Sequence, residues 1–447
     1  MSERHVDCPA LFISSTASGQ GKTTLTAALA RLHRRQGRRV AVFKTGPDYL
    51  DPLILSHAAG GPVEPLDLWM AGPEFCRQQL FDAARHHDLI LIEGAMGLFD
   101  GQPSSADLAA TFNIPVVAVI NARGMAQTVA AVAFGLKHLP RSADNRHHLA
   151  GIVTNGVGSL RHRELIEHSL PSDIALLGNL PREEALALPS RHLGLVPPDE
   201  QEALDARFDA AADHLADSPL SDLPAACRFT DQHIPAPPRL LAGTHIAVGR
   251  DAAFSFIYAA NLRLLEAMGA RLSYFSPLTE ALPEADACWL PGGYPELHAH
   301  TLSSNTALHT SLADHHQAGR PILAECGGML LLQQTLTDLD GHCYPMAGLL
   351  PGHGEMRTKR GCQGMQAAPL PEGEIRGHAH HHSRSHDTLA PIAHGRRAFH
   401  TAPGEAIYRQ GRLTASYLHL FFASHPVATA QLFGATTSAP IAAMADA

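Results

Sequence analysis

Apolar and polar positions alternate along this chain in two separate rounds, and each round predicts strands and helices in succession. The first opens at 11–15 (Leu-Phe-Ile-Ser-Ser), an apolar run of the length of a buried strand. A helical pattern follows, with Leu25, Leu29 and Leu32 on one face and Gly37 at its end. Apolar runs at 39–44, 88–92, 115–120 and 150–154 predict further strands, with a helix over 129–139. Such alternation predicts a mainly parallel, doubly wound α/β sheet. Between 218 and 243 the periodicity lapses and Pro219, Pro224, Pro235, Pro237 and Pro238 recur, which reads as a linker. The second round predicts strands at 245–249, 271–274, 287–290 and 322–325, a helix over 254–268, and a β-rich tail. The expected organisation is a first α/β domain over 1–217, a linker over 218–243, and a second α/β domain over 244–447.

Composition narrows the partners. The net charge of −9 argues against a nucleic-acid ligand. The one basic stretch, 31–39, falls at a predicted helix end, where cations suit the dipole. Seven cysteines without regular spacing fit a reducing compartment and no disulfide framework. Residues 1–7 are polar, and no apolar run approaches the ~18 residues of a membrane span, so a cytoplasmic protein is expected.

Candidate chemistry begins at Thr16-Ala17-Ser18-Gly19-Gln20-Gly21-Lys22-Thr23-Thr24, set between the first strand and the first helix. That is the context a phosphate-binding loop requires. Loop and helix N–H groups cradle phosphates, Lys22 neutralises the outer ones, and the Thr23 hydroxyl is a ligand for Mg²⁺. Thr16 stands where the strict pattern has its first glycine. Gly19, Gly21, Lys22, Thr23 and Thr24 are therefore the expected ATP-binding residues. The second strand runs into Lys44-Thr45-Gly46-Pro47-Asp48-Tyr49-Leu50-Asp51-Pro52, and the third ends at Glu93, with Asp100 in the loop beyond. Loops at the carboxyl ends of strands are where such a sheet places its ligands, although Asp, Gly and Pro are also ordinary turn residues. The expectation is that Asp48, Asp51, Glu93 and Asp100 ring one phosphate site. Asn155 also ends a strand, where Asn is usually a turn residue.

In the second domain, Ile322-Leu323-Ala324-Glu325-Cys326-Gly327-Gly328-Met329 reads as a nucleophile elbow: strand, sharp turn carrying the thiol, helix. Gly292 and Gly293 end another strand and could bring a backbone N–H to an oxyanion, as could Gly327. His419, alone in the apolar run 415–422, is the expected base. The run Gly377-His378-Ala379-His380-His381-His382-Ser383 looks like a metal site, but adjacent residues of a strand point to opposite faces.

Together these blocks, with Leu188-Pro189-Ser190-Arg191-His192-Leu193-Gly194-Leu195 and Leu290-Pro291-Gly292-Gly293-Tyr294-Pro295-Glu296-Leu297, run in order over nearly the whole chain. The sequence resembles the cobyrinic acid a,c-diamide synthase family, in which a dethiobiotin synthetase-like ATP-dependent domain is fused to a class I glutamine amidotransferase domain. The resemblance implies that Cys326 and His419 release ammonia from L-glutamine. It implies that ATP and Mg²⁺, held by Gly21, Lys22, Thr23, Asp48 and Glu93, phosphorylate a corrinoid carboxylate that ammonia then converts to an amide. Lys44, Tyr49, Leu50, Asp51 and Asp100 would bind the substrate. Sister synthetases acting on hydrogenobyrinic acid or nickel-sirohydrochlorin share these motifs. A P-loop switch ATPase is the rival of another class, but it carries a second lysine early in the loop and would leave Cys326 unexplained. The chain departs from the family at 379, 380 and 382, and Phe421 stands where a second histidine is common. A homodimer is left open.

Overall fold

The computed structural model describes residues 4–139, 147–183, 186, 188, 190–191, 194–195 and 203–436. The chain divides into two compact units, Met1–Ile234 and Pro235–Ala447.

The first unit runs β1 (His5–Ser15), α1 (Lys22–Arg35), β2 (Val40–Thr45), α2 (Leu50–Ala59), β3 (Val63–Leu66), α3 (Pro73–His86), β4 (Leu89–Glu93) and α4 (Ser105–Thr111). It continues through β5 (Val116–Asn121), α5 (Thr128–His138), β6 (Leu149–Val157), α6 (Leu160–Ser169), β7 (Leu176–Pro181), the two-residue strands β8 (Ser190–Arg191) and β9 (Gly194–Leu195), α7 (Leu204–Asp213) and β10 (Ala226–Thr230). The main sheet has the order β3-β2-β4-β1-β5-β6-β7, and its neighbouring strands are parallel. Alternation along β1 feeds both faces, since Ala10 and Phe12 join one core and Leu11 and Ile13 the other. Because β1 sits between β4 and β5, the carboxyl ends of β1, β2, β4 and β6 open toward the same edge, where parallel sheets bind ligands.

Part of the stretch expected to be linker is built into this unit. Ala226–Thr230 is a strand, antiparallel to the first half of β1, with Cys227 opposite Cys8 and Phe229 buried. The apolar positions Cys227 and Phe229 alternate with polar ones, a period-two signal too short to stand out among the prolines.

The second unit runs β11 (His245–Gly249), α8 (Ala259–Ala267), β12 (Arg271–Phe275), β13 (Ala287–Leu290), α9 (Ala299–Ser304), α10 (Thr306–Gln317), β14 (Ile322–Glu325) and α11 (Gly327–Leu332). A β-rich part follows: β15 (Thr335–Thr337), β16 (Cys343–Pro345), β17 (His353–Met356), β18 (Gly364–Leu370), β19 (Gly373–Ala379), β20 (Ser383–His386), β21 (Ala393–Arg397), β22 (Pro403–Gln410), β23 (Leu413–Ser416) and β24 (Leu418–Leu420), then α12 (Pro426–Leu432). Its large sheet has the order β12-β11-β13-β14-β23-β22-β21-β18-β19-β24, parallel from β12 to β23 and antiparallel beyond.

The helix expected from 254 starts at Ala259 instead. Asp251 Oδ1 accepts the N–H groups of Ala253 and Phe254, and Phe256 N donates to Gly292 O at 3.0 Å. A side chain that captures local amides competes with helix formation, and here it braces the Gly292 loop. Among the described residues no helix is long and apolar enough to cross a membrane.

Candidate active sites

In the first unit the loop between β1 and α1 turns on Gly19 (φ 73°) and Gly21 (φ 103°), left-handed conformations that suit glycine. A Cβ on Gly21 would stand 2.2 Å from Asn155 Nδ2. Asn155 donates instead to Gln20 O at 2.9 Å, and Gln20 Oε1 accepts from Asn121 N, so the ends of β5 and β6 brace the loop. Residue spacing does not reveal this task for Asn155, since its partner lies 135 residues away. Lys22, the first residue of α1, is buried and donates to Met96 O at 2.7 Å and Ser15 Oγ at 3.0 Å. Thr23 and Thr24 follow in the first turn of the helix.

Lys44 comes from the end of β2 and is 3 % exposed. Its ammonium meets Asp51 Oδ2 at 2.6 Å, Glu93 Oε1 at 2.7 Å and Asp48 Oδ2 at 3.6 Å. Three carboxylates hold Lys44 protonated, against the cost of burying it. Burial and the neighbouring Asp51 charge push Asp48 upward. Glu93 is fully buried; its Oε1 also accepts from Thr23 Oγ1 at 3.0 Å. Its second oxygen, Oε2, is buried without a hydrogen-bond partner among the described residues. A buried carboxylate oxygen without a donor is costly in a purely structural site and natural beside a cation. The hard oxygen set of Thr23, Glu93 and half-buried Asp48 therefore fits Mg²⁺.

Of the four acids expected at one phosphate site, the structure gathers three at Lys44. Asp100 is exposed and accepts from Gly97 N within its own turn, although its charge still bears on Lys22. Asp48 Oδ1 accepts from Leu50 N and Asp51 N, which starts α2 and aims Asp51 at Lys44. Leu50 turns its side chain into the protein and has committed its amide, whereas Tyr49 stays half-buried beside Asp48. Of the 188–195 block, Pro189, His192 and Leu193 lie outside the described residues.

In the second unit β14 ends at Glu325 and α11 begins at Gly327, so Cys326 is the turn itself. Its φ of 46° is a left-handed conformation rare for a residue with a Cβ. Cys326 N donates to Ser416 O at 2.7 Å, and Gly328 N donates to Pro291 O at 3.0 Å. A Cβ on Gly328 would meet Leu290 O at 2.2 Å. The strain is thus held by neighbouring strands. Gly292 is the pivot of the site. A Cβ there would stand 2.3 Å from His419 Cε1 and 3.3 Å from Cys326 Cβ, so thiol and imidazole flank one point that only glycine leaves open. Gly293 N lies 3.1 Å from where a Cβ on Gly327 would be, which brings the Gly293 amide to the elbow.

His419 sits on β24 and is buried, stacked on His378 across the β19–β24 ladder with centroids 5.0 Å apart. His381 turns elsewhere: its ring lies 3.9 Å from the Tyr417 ring, and Nε2 meets Glu405 Oε1 at 2.9 Å. The histidine run therefore divides between the surroundings of His419 and a separate His–Glu pair. Sequence spacing concealed the role of His378, because β20 to β23 lie between it and His419 in the chain.

Burial raises the Cys326 thiol, and the Glu296 charge raises it further. Burial lowers His419 to about 3, helped by His381 and His380. Both shifts favour neutral partners over a thiolate–imidazolium pair. Alkylation of Cys326 by iodoacetamide is accordingly expected to rise steadily from about pH 6 to about pH 9, following the thiolate fraction. A plateau at the acid end of stopped-rate measurements would show a preformed ion pair and contradict this.

Comparison with known proteins bears on both sites. Residues 11–196 match the CobQ/CobB/MinD/ParA nucleotide binding domain, and residues 245–427 the CobB/CobQ-like glutamine amidotransferase domain. Hydrogenobyrinate a,c-diamide synthase of Stutzerimonas stutzeri is 54% identical over 95% of this chain and 98% of its own length. The enzyme of that name from Pseudomonas aeruginosa is 51% identical, over 95% of this chain and 97% of its own. Cobyrinate a,c-diamide synthase of Herminiimonas arsenicoxydans is 48% identical, over 95% and 96%. With both units matched in order and the relatives covered almost from end to end, the chain belongs to the family of hydrogenobyrinate and cobyrinate a,c-diamide synthases.

Proposed function

We propose that this protein uses ATP and L-glutamine to amidate the a and c side-chain carboxylates of a cobyrinate-type corrinoid in cobalamin biosynthesis. The observation that carries the reading is the pairing, in one chain, of a phosphate loop opening on an acid-ringed lysine with a strained Cys–Gly–His elbow.

In the second unit Cys326 gives its proton to His419 as its sulfur attacks the side-chain amide carbon of glutamine. The backbone N–H groups of Gly293 and Gly327 take the developing oxyanion. His419 returns the proton to the leaving nitrogen, ammonia departs, and water clears the glutamyl thioester. In the first unit Gly19, Gly21, Thr24 and the helix N-terminus bind the phosphates of ATP, with Lys22 turning from Met96 O to the outer phosphates. Thr23, Glu93 and Asp48 would hold Mg²⁺, which when bound supplies charge neutralisation at the phosphates. A corrinoid carboxylate attacks the terminal phosphorus, ADP leaves, and ammonia displaces phosphate from the acyl phosphate. Lys44 and Asp51, with Tyr49 beside them and Asp100 at the rim, orient the substrate. The cycle runs once for each carboxylate.

Of the three relatives, the two with higher identity are hydrogenobyrinate enzymes, so the cobalt-free macrocycle is the first to offer. The test supplies hydrogenobyrinate, cobyrinate and nickel-sirohydrochlorin separately, with ATP, Mg²⁺ and glutamine, and separates the products by chromatography. Diamide from either corrinoid supports the proposal. Amide only from nickel-sirohydrochlorin would change the substrate and keep the chemistry; no amide from any of them would overturn it.

A further inference from the structure

One buried acid has no place in the mechanism above. Glu325 closes β14 immediately before Cys326 and is 2 % exposed. Its Oε2 accepts from Trp289 Nε1 at 3.0 Å, and its Oε1 accepts from Leu420 N at 2.8 Å. Leu420 directly follows His419. A single carboxyl group therefore bridges the residue before the nucleophile to the residue after the base.

The topology explains why a side chain is needed there. β14 pairs with β13 and β23, while β24 pairs with β19 at the far end of the sheet order. After Ser416 the chain leaves β23 and returns past the elbow as β24. Among the described residues no backbone ladder joins β14 to β24, so the Leu420 N–H would be an orphaned buried donor without Glu325. Three neighbouring amides are likewise taken by side chains or by backbone of another strand: Leu418 N by Ser416 Oγ, Phe421 N by Arg376 O, and Phe422 N by Asn261 Oδ1. The Glu325 bond thus ties β24 directly to the strand of the nucleophile.

Resting on the reading of this unit as the glutamine site, we propose that Glu325 is a positioning residue. Its carboxyl group stands in for the absent ladder bond and fixes the separation of Cys326 and His419. Burial raises Glu325 to about 8, with the two N–H donors acting the other way, so both hydrogen bonds serve a group that solvent does not hold in place.

Glu325→Ala is expected to lower kcat for glutamine-driven amidation about 10²-fold, the scale of a misplaced catalytic pair, with the KM for glutamine changed little. The ammonium-driven rate should stay at the wild-type level. Glu325→Gln keeps an acceptor for Leu420 N–H; combined with Trp289→Phe, which removes the donor that its amide nitrogen would face, it should recover most of the lost kcat. Wild-type kcat in Glu325→Ala would overturn the proposal. So would an equal loss in the Gln/Phe protein, which would assign the effect to charge rather than to the bond, and that protein decides the question if the Ala variant does not fold. A wild-type protein unable to use glutamine would instead overturn the functional reading itself.

Discussion

Cys326→Ala is expected to abolish glutamine-driven amidation, by about 10³-fold or more, and to leave ammonium-driven amidation intact. The size follows from the chemistry: removing the atom that forms the covalent bond removes the reaction path, not one contribution to it. The selectivity follows from the structure. Alanine retains the Cβ and so carries the same strain at φ 46°, while the bonds holding the turn are backbone bonds from Cys326 N to Ser416 O and from Gly328 N to Pro291 O. Nothing that shapes the elbow is lost with the sulfur. The other cysteines of this unit do not substitute: Cys288 is buried within β13, Cys343 is exposed on β16, and Cys362 contacts Gln366. Rates with glutamine and with ammonium, measured on the same preparation, decide it. Loss of both would contradict the division of labour between the units.

Glu93→Gln is the mirror case. It should reduce synthesis about 10³-fold with either nitrogen source, while Cys326 still reacts with a glutamine-analogue alkylator. Glutamine is nearly isosteric, so β4 and its packing survive, but the negative charge facing Lys44 and Thr23 is gone. Its amide would also set N–H donors where a cation is expected. Lys44 keeps Asp51 and Asp48, so the stability cost should be about 1–3 kcal/mol, less than that of a wholly broken buried pair. Thermal unfolding would measure this. Near-normal synthesis in the variant would remove Glu93 from phosphoryl transfer.

The geometry of the two candidate sites was legible in the sequence to the extent that it is local. Gly21-Lys22-Thr23 between a strand and a helix, and Cys326-Gly327-Gly328 between another strand and helix, each carry their geometry in a few neighbouring residues. What depends on distant chain was not legible. Asn155 bracing Gln20, His378 stacking on His419, and Glu325 reaching Leu420 all need the sheet order, which residue spacing does not contain. Glu325 did leave one trace, a charged residue ending an otherwise apolar strand. Local competition explains the rest: Asp251 delays α8, Asp48 takes the amide of Leu50, and Asp100 serves its own turn.

The central claim is that glutamine nitrogen reaches two carboxylates of one corrinoid at the expense of ATP. The measurement that tests it most directly is time-resolved mass spectrometry of hydrogenobyrinate or cobyrinate incubated with the protein, ATP, Mg²⁺ and amide-¹⁵N glutamine. The predicted result is a monoamide that rises and decays into a diamide, with ¹⁵N in both products and no amide when ATP is omitted. Unchanged corrinoid while ATP and glutamine are consumed would contradict the account.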